Sequence, residues 1–216
     1  MANDQSSRRG ALLSNETTPV LPETVVLSSQ PGTWRGIEVV QRRHTVSDHE
    51  FPALSCHTIG INLGHPLSAR IDGRVYEGHL SQGQINVLPA GLPSYWRWKE
   101  PGEADVIHLY LTPALLRETA IDLGNLNPDR IEIVNHLVAP DPQLEHLGLA
   151  LWQELVTGGM GGRLFGESLA TALAVQLLQK YSATTVAISE FKGDLPKYKL
   201  SAVSTTSTLI WSKTSV

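Results

Sequence analysis

The sequence predicts a mainly β protein of the α+β class, an antiparallel β-barrel followed by an α-helical hairpin. Short runs of β-branched and aliphatic residues, separated by turn signals, occupy residues 34–111, a spacing typical of barrels and sandwiches. After Pro113 the apolar period changes from two to about 3.6, which indicates amphipathic helices. The barrel therefore precedes the helices along the chain.

The composition is that of an ordinary globular domain. The 216 residues are 41% hydrophobic and 18% charged, and 17 Lys and Arg against 21 Asp and Glu give a formal net charge of −4. Dedicated DNA-binding domains usually carry a basic excess, which is absent here. The single cysteine, Cys56, allows no internal disulfide, and no apolar run is long enough to cross a bilayer. We therefore expect a cytoplasmic protein without a membrane partner.

The elements are predicted in chain order. Residues 1–33 form an N-terminal arm with at most one strand, around Val25–Leu27, and residues 34–135 form the barrel. Asp72-Gly73 is typical of a type I′ hairpin turn, because both of its central positions need a positive φ. Barrel strands are predicted at 37–40, 56–63, 67–71, 75–80, 85–88 and 106–111.

Helices are predicted where a capping residue precedes a proline. Thr112 and Asp141 are such N-caps, and these two helices cover 114–123 and about 142–157. A third helix, 164–181, is predicted from leucines at four-residue steps. Residues 136–182 thus form a helical hairpin, and the polar residues 183–216 form a C-terminal tail. Four leucines of the second helix lie on one face, which either packs on the chain's own barrel or forms a dimer interface. They are Leu144, Leu147, Leu151 and Leu155.

The corner between two barrel strands carries a resemblance to a known family. Gly83, Pro89 and Gly91 match the second motif of the cupin superfamily, whose final histidine is replaced here by Ser94. The chain also lacks a His-x-His motif, and metal-dependent cupins bind their ion largely through those histidines. The resemblance therefore implies a cupin-like barrel that binds a small molecule, with no metal, no cofactor and no catalysis.

The order of the elements resembles the N-terminal sensor half of AraC-type transcription regulators over residues 34–181. The barrel corner, the strand ending at His108–Pro113 and the helical hairpin follow one another as in that family. The resemblance implies effector binding in the barrel and dimerisation through the hairpin. The effector is expected to be a small polar molecule such as a sugar, because an aromatic platform with a few polar groups suits one. The implied effector-binding residues are Trp34, Ser94, Trp96, His108 and Tyr110.

The DNA-binding half of such regulators needs about 100 further residues, which form two helix-turn-helix units. Only 20 residues follow Pro196, of which 197–203 resemble the entry to the first unit. We therefore expect a truncated sensor that reaches DNA only through a full-length partner.

Two other functions remain open from the sequence. The first is a metal-dependent cupin enzyme, an isomerase or dioxygenase, with ligands among His57, His65, His79 and His108. The second is a barrel that serves only as an interaction surface. His44 and His49 lie in a charged stretch and are expected to be solvated. Cys56 is expected to be a small buried hydrophobe, since its neighbour on the strand points to the opposite face.

Overall fold

A computed structural model describes residues 23–29, 33–45, 49–64, 67–71, 74–97, 103–159 and 161–183. The arm up to residue 22, the Asp72-Gly73 turn and the tail from residue 184 lie outside the described residues. The described part of the barrel and the hairpin belong to one compact unit.

The described residues form ten strands and three α-helices. The strands are β1 (Glu23–Ser28), β2 (Ile37–Thr45), β3 (His49–Phe51), β4 (His57–Asn62), β5 (Leu67–Ile71), β6 (Arg74–Leu80), β7 (Ile85–Leu88), β8 (Ser94–Arg97), β9 (Glu103–Leu111) and β10 (His136–Ala139). The helices are α1 (Pro113–Leu123), α2 (Pro142–Val156) and α3 (Gly162–Tyr181).

All strand pairs are antiparallel and form two sheets. One sheet has six strands in the order β1-β2-β9-β4-β7-β10, and the other has four in the order β3-β8-β5-β6. The predicted class, mainly β with antiparallel strands followed by a helical hairpin, is confirmed. Two boundaries differ from the prediction, because β1 extends the barrel sheet into the predicted arm and β10 extends it into the predicted hairpin segment.

The six-stranded sheet has two buried faces with different chemistry. Its outer face packs against the helices through aliphatic side chains, because every second residue of β2, β4, β7 and β9 points that way. Its inner face points toward the four-stranded sheet. The outer-face core consists of Val39, Ile59, Ile61, Ile85, Val87, Ile107, Leu109 and Leu111, together with Leu144, Leu151, Leu173 and Leu177 of the helices.

The hairpin packs closely on the outer face of the sheet. A Cβ at Gly148 of α2 would overlap Ile61 and Leu109, so the glycine lets the helix approach the sheet. Leu144 and Leu151 have no exposed surface and belong to the chain's own core. For these two leucines the structure shows packing on the barrel rather than an exposed dimer face. The other two predicted leucines, Leu147 and Leu155, are partly buried at the edge of that core.

Asp141 joins the first turn of α2 to the last turn of α3. Asp141 caps α2 by accepting hydrogen bonds from the backbone N–H groups of Gln143 and Leu144. It also accepts hydrogen bonds from Lys180 and Tyr181 in the last turn of α3. The start of α2 is therefore joined to the end of α3.

Candidate ligand-binding site

The inner face of the six-stranded sheet consists of side chains in rows that run across the strands. The strand register aligns Val40 of β2, His108 of β9, Gly60 of β4 and Asn86 of β7 in one row. The row on one side is Glu38, Tyr110, Thr58 and Leu88, and the row on the other side is Arg42, Val106 and Asn62. Polar side chains thus occupy the middle of this face.

Gly60 makes room for the amide of Asn86. A Cβ on residue 60 would overlap Oδ1 of Asn86, so the Asn86 side chain lies directly over the glycine. Asn86 is buried, as is Asn62 on the next row. Glycine inside a strand often marks such a close approach.

His108 lies at the centre of the inner face. Its ring stacks on Tyr110, with the centroids 5.9 Å apart and an interplanar angle of 10°. Its Nε2 lies 3.1 Å from Nε2 of His44. Burial, with smaller contributions from His44 and Arg42, holds the pKa of His108 well below its ordinary value. The imidazole is therefore neutral at pH 7.

The His108 side chain keeps some accessible surface although it points into the space between the two sheets. An inward face with an accessible imidazole is suited to binding a small molecule.

An apolar cluster lies between the two sheets. Trp96 of β8 packs with Ala104 and Val106 of β9, and its indole N–H donates to Ser94 Oγ at 3.0 Å. Because the indole N–H is already engaged, Trp96 offers the interior an apolar face. Phe51, Leu88, Leu92 and Leu137 surround this cluster.

Two opposite charges on β2 border the central row. Burial raises the pKa of Glu38, while Arg42 on the same face lowers it.

Cys56 packs with Val40 of β2 and Tyr110 of β9. Burial, assisted by Glu38, raises the pKa of its thiol to about 11. At pH 7 the thiol is protonated, and it behaves as the small buried hydrophobe that was expected.

The structure places four of the five predicted effector-binding residues on the barrel interior. Ser94, Trp96, His108 and Tyr110 all point inward, although a contact with an effector stays a prediction. The prediction for Trp34 is wrong. Trp34 belongs to the outer-face core, where its indole fills the space left by the missing side chain of Gly166 in α3. It precedes β2 on the helical side of the sheet and cannot reach the interior.

The sequence interpretation missed several inner-face residues. His44 was expected in solvent, but it is 3% exposed and contacts His108. It is buried because even-numbered residues of β2 point into the barrel. The same parity places Arg42, Thr58 and Asn62 inside. In the sequence, these inner-face residues are marked only by the alternation of polar and apolar residues within β2 and β4. A sheet face exposed to solvent gives the same alternation.

Of the histidines named as metal ligands, His57 does not share a site with His108, because the register places the two on opposite faces of the sheet. His57 accepts a hydrogen bond at Nδ1 from the backbone N–H of Ala90 in the barrel corner, at 3.1 Å. The side chains of His65 and His79 lie outside the described residues. Among the described residues no three His, Cys, Asp or Glu side chains cluster as metal ligands. No helix in the described ranges has the length and apolar character that a membrane span requires.

Comparisons with known proteins add the following. No family model matches the sequence, and no curated protein matches it. The solved structures that are similar include the EutQ protein of Clostridium difficile, with 17% identity, 35% of this chain and 56% of that chain covered, and a TM-score of 0.30. A putative mannose-6-phosphate isomerase from Ralstonia eutropha has 9% identity, with 49% of this chain and 98% of that chain covered and a TM-score of 0.37.

A variant of salicylate 1,2-dioxygenase from Pseudoaminobacter salicylatoxidans is also similar, with 12% identity, 35% of this chain and 21% of that chain covered, and a TM-score of 0.31. The matched region thus spans about half of EutQ and a fifth of the dioxygenase. At this similarity these structures indicate nothing about the activity of this chain.

Proposed function

We propose that this chain is a small-molecule sensor of the AraC type, whose barrel encloses an effector and whose helical hairpin pairs two copies. The observation that supports this function is the buried polar inner face, on which the His108 side chain keeps some accessible surface. Apolar side chains would fill such an interior at a lower cost in free energy, because each buried polar group requires a hydrogen-bond partner. Polar groups on an inward face can also hydrogen-bond an enclosed ligand.

In this role the effector selects one conformation of the barrel and so changes how two hairpins pair. The chain then affects transcription through a DNA-binding partner. A gel-shift measurement with the purified chain tests this last point, since specific retention of a promoter fragment at physiological salt would contradict it.

Thermal unfolding with a library of sugars, amides and small acids tests effector binding. A ligand that binds only the folded chain raises the melting temperature, and the rise grows with the logarithm of one plus the ratio of ligand concentration to Kd. We expect such a rise for at least one class of small polar compounds, and its loss in His108→Leu. A barrel that serves only as an interaction surface would show no rise with any compound.

A metal-dependent cupin enzyme is the second candidate, and one observation favours it. The two Nε2 atoms of His44 and His108 face each other at 3.1 Å, and imidazole nitrogens are common ligands of transition metals. Metal analysis after dialysis against Mn, Fe or Zn salts separates the candidates. One equivalent of metal that is lost in His44→Ala would favour the enzyme over the sensor.

A further inference from the structure

The groove between α2 and α3 is depleted of charge. Its volume is about 470 Å³, and none of the described residues that line it is Asp, Glu, Lys or Arg, although 18% of the chain is charged. The adjoining stretches, residues 146–153 of α2 and 168–179 of α3, contain no such residue either. Depletion of charge is typical of the core of a protein interface. The lining consists of Gln143, His146, Leu147, Ala172, Val175 and Gln176.

Charged residues flank the uncharged part of α3, and they are paired. In the last turn of α3, Lys180 donates hydrogen bonds to Asp141 and Gln143 of the α2 start. In the first turn, Arg163 forms a salt bridge with Glu167. An uncharged centre with a polar rim is the usual arrangement in a protein interface.

A second copy of the chain is the partner that fits the groove. In a contact with twofold symmetry, a surface packs on the same surface of the other copy, so any charge within it meets a like charge. The groove avoids this repulsion because its lining lacks Asp, Glu, Lys and Arg. Leu147, Ala172 and Val175 contribute apolar surface to the contact.

His146 is the titratable side chain of this lining. It lies two residues before Gly148, which packs against Ile61 and Leu109 of the sheet. Two residues correspond to about 200° around a helix, so His146 is on the side of α2 that faces away from the sheet, and it is exposed. A histidine side chain gains a positive charge as the pH falls from about 8 to about 5.

The described charged groups on either side of His146 are engaged in other contacts. On α3, Lys180 forms a salt bridge with Asp141. On α2, the preceding residue Glu145 places its carboxylate over Gly83 of the barrel. The strands beneath α2 contact the Gly148 side of the helix. A proton on His146 therefore adds a charge that these groups do not compensate.

We propose that the groove between α2 and α3 packs on the same groove of a second copy, and that protonation of His146 in both copies weakens this pairing in acid. Like charges repel more strongly in an interface that excludes water than they do in solvent. This inference rests on the pairing in the proposed sensor function and adds its surface and its regulation by pH.

The pH dependence of pairing tests the role of His146. The dimer dissociation constant of the full chain is measured by sedimentation at pH 8.0 and pH 5.5, and we expect it to rise about tenfold or more in acid. His146→Gln cannot gain the charge and should show no such rise. His136→Gln, at an exposed position outside the groove lining, is the matched control and should respond as the parent does.

The outcomes separate this inference from the sensor function. A dimer with the same dissociation constant at both pH values, or an equal rise in His146→Gln and the parent, would overturn the inference and leave the sensor function standing. A parent chain that stays monomeric at pH 8.0 would count against the pairing in the proposed function itself. All three chains retain His57, so its own response to acid is common to them.

Opposite charges at one position of the groove test whether the partner is a second copy. Gln176→Glu and Gln176→Lys each place like charges in the contact, and we expect each to weaken pairing about tenfold or more at pH 8.0. An equal mixture of the two variants should pair more tightly than either alone. Asn125→Glu and Asn125→Lys, on an exposed turn, are the controls and should pair as the parent does. Parent-like pairing of either Gln176 variant, or a mixture no tighter than its components, would overturn the inference.

Discussion

His44 and His108 meet inside the barrel although they are not neighbours in the strand register. The register pairs His44 with Ala104 and His108 with Val40, so the two rings reach toward each other across the Arg42–Val106 pair. Their Nε2 atoms lie 3.1 Å apart, and the rings make an edge-to-face contact. With one proton between the two nitrogens, one ring donates and the other accepts.

A double-mutant cycle measures this contact. His44→Ala and His108→Ala should each lower the free energy of unfolding, and the double variant should lose less than the sum by about 0.5 to 1.5 kcal/mol, the usual worth of a hydrogen bond. Urea unfolding provides the values. A cycle between His44 and His136, which instead contacts Tyr181, is the control and should be additive. Additivity in the first cycle would mean that the two rings do not interact.

Stability should fall in mild acid because of His57. Burial lowers the pKa of His57 to about 4 in the folded chain, whereas the unfolded chain protonates this histidine near the ordinary value of about 6.5. Between these values the unfolded state binds more protons, so the free energy of unfolding falls as pH drops from about 6.5 to about 4. We expect His57 to contribute about 1 to 3 kcal/mol over this range.

His57→Asn is the matched variant for this prediction, because its amide oxygen can still accept from the Ala90 N–H but does not titrate. Urea unfolding at several pH values should show a shallower acid dependence for His57→Asn than for the parent chain. Parallel curves would show that protonation of His57 does not contribute to acid unfolding.

Asp141 should be the most important acidic residue for the hairpin. Burial acts to raise its pKa, but hydrogen bonds from the Leu144 amide, Lys180 and Tyr181 outweigh burial and lower the pKa. Asp141→Ala removes the N-cap and these buried contacts together, so we expect a loss of about 2 to 4 kcal/mol in the free energy of unfolding. Glu118→Ala is the control, since Glu118 pairs with Arg35 in solvent and should change stability by less than about 1 kcal/mol. Similar losses in both variants would contradict the assigned role.

Dimerisation should depend on a groove between α2 and α3 rather than on the leucines buried in the core. Leu147 lines this groove of about 470 Å³ with Ala172 and Val175. We expect Leu147→Glu to shift the chain from dimer to monomer in light scattering, because a charge in an interface core is costly. Leu164→Glu, at a site 80% exposed and outside the groove, should leave the dimer intact. A monomeric parent chain would overturn the prediction.

Local signals in the sequence were sufficient for most of the secondary structure. The cap and proline at Thr112 and Pro113 predicted α1 almost to the residue, and β5 and β7 have their predicted bounds. A cap or a turn depends on residues a few positions apart, so the sequence shows it directly. The strands β3 and β10 are short and pair with distant strands, and their pairing partners are not encoded locally.

The candidate site was predictable only in part for a related reason. Ser94, Trp96, His108 and Tyr110 followed from a family resemblance and strand parity. His44, Gly60 and Asn86 did not, because their role depends on the register of β2, β9, β4 and β7. Trp34 was predicted to line the barrel interior, but it packs against α3 on the outer face of the sheet. No local feature of the sequence distinguishes these two locations for an aromatic side chain.

Strand β2 faces the barrel interior and the hairpin with consecutive residues. Gln41 accepts a hydrogen bond from the Trp152 indole of α2 at 2.9 Å, while Val40 and Arg42 on either side of it face the barrel. A peptide backbone transmits a rotation of one residue to the next, so a movement of Arg42 also moves the anchor of α2. The barrel interior and the hairpin are thus connected through neighbouring residues of one strand, without a chain of intermediate side chains.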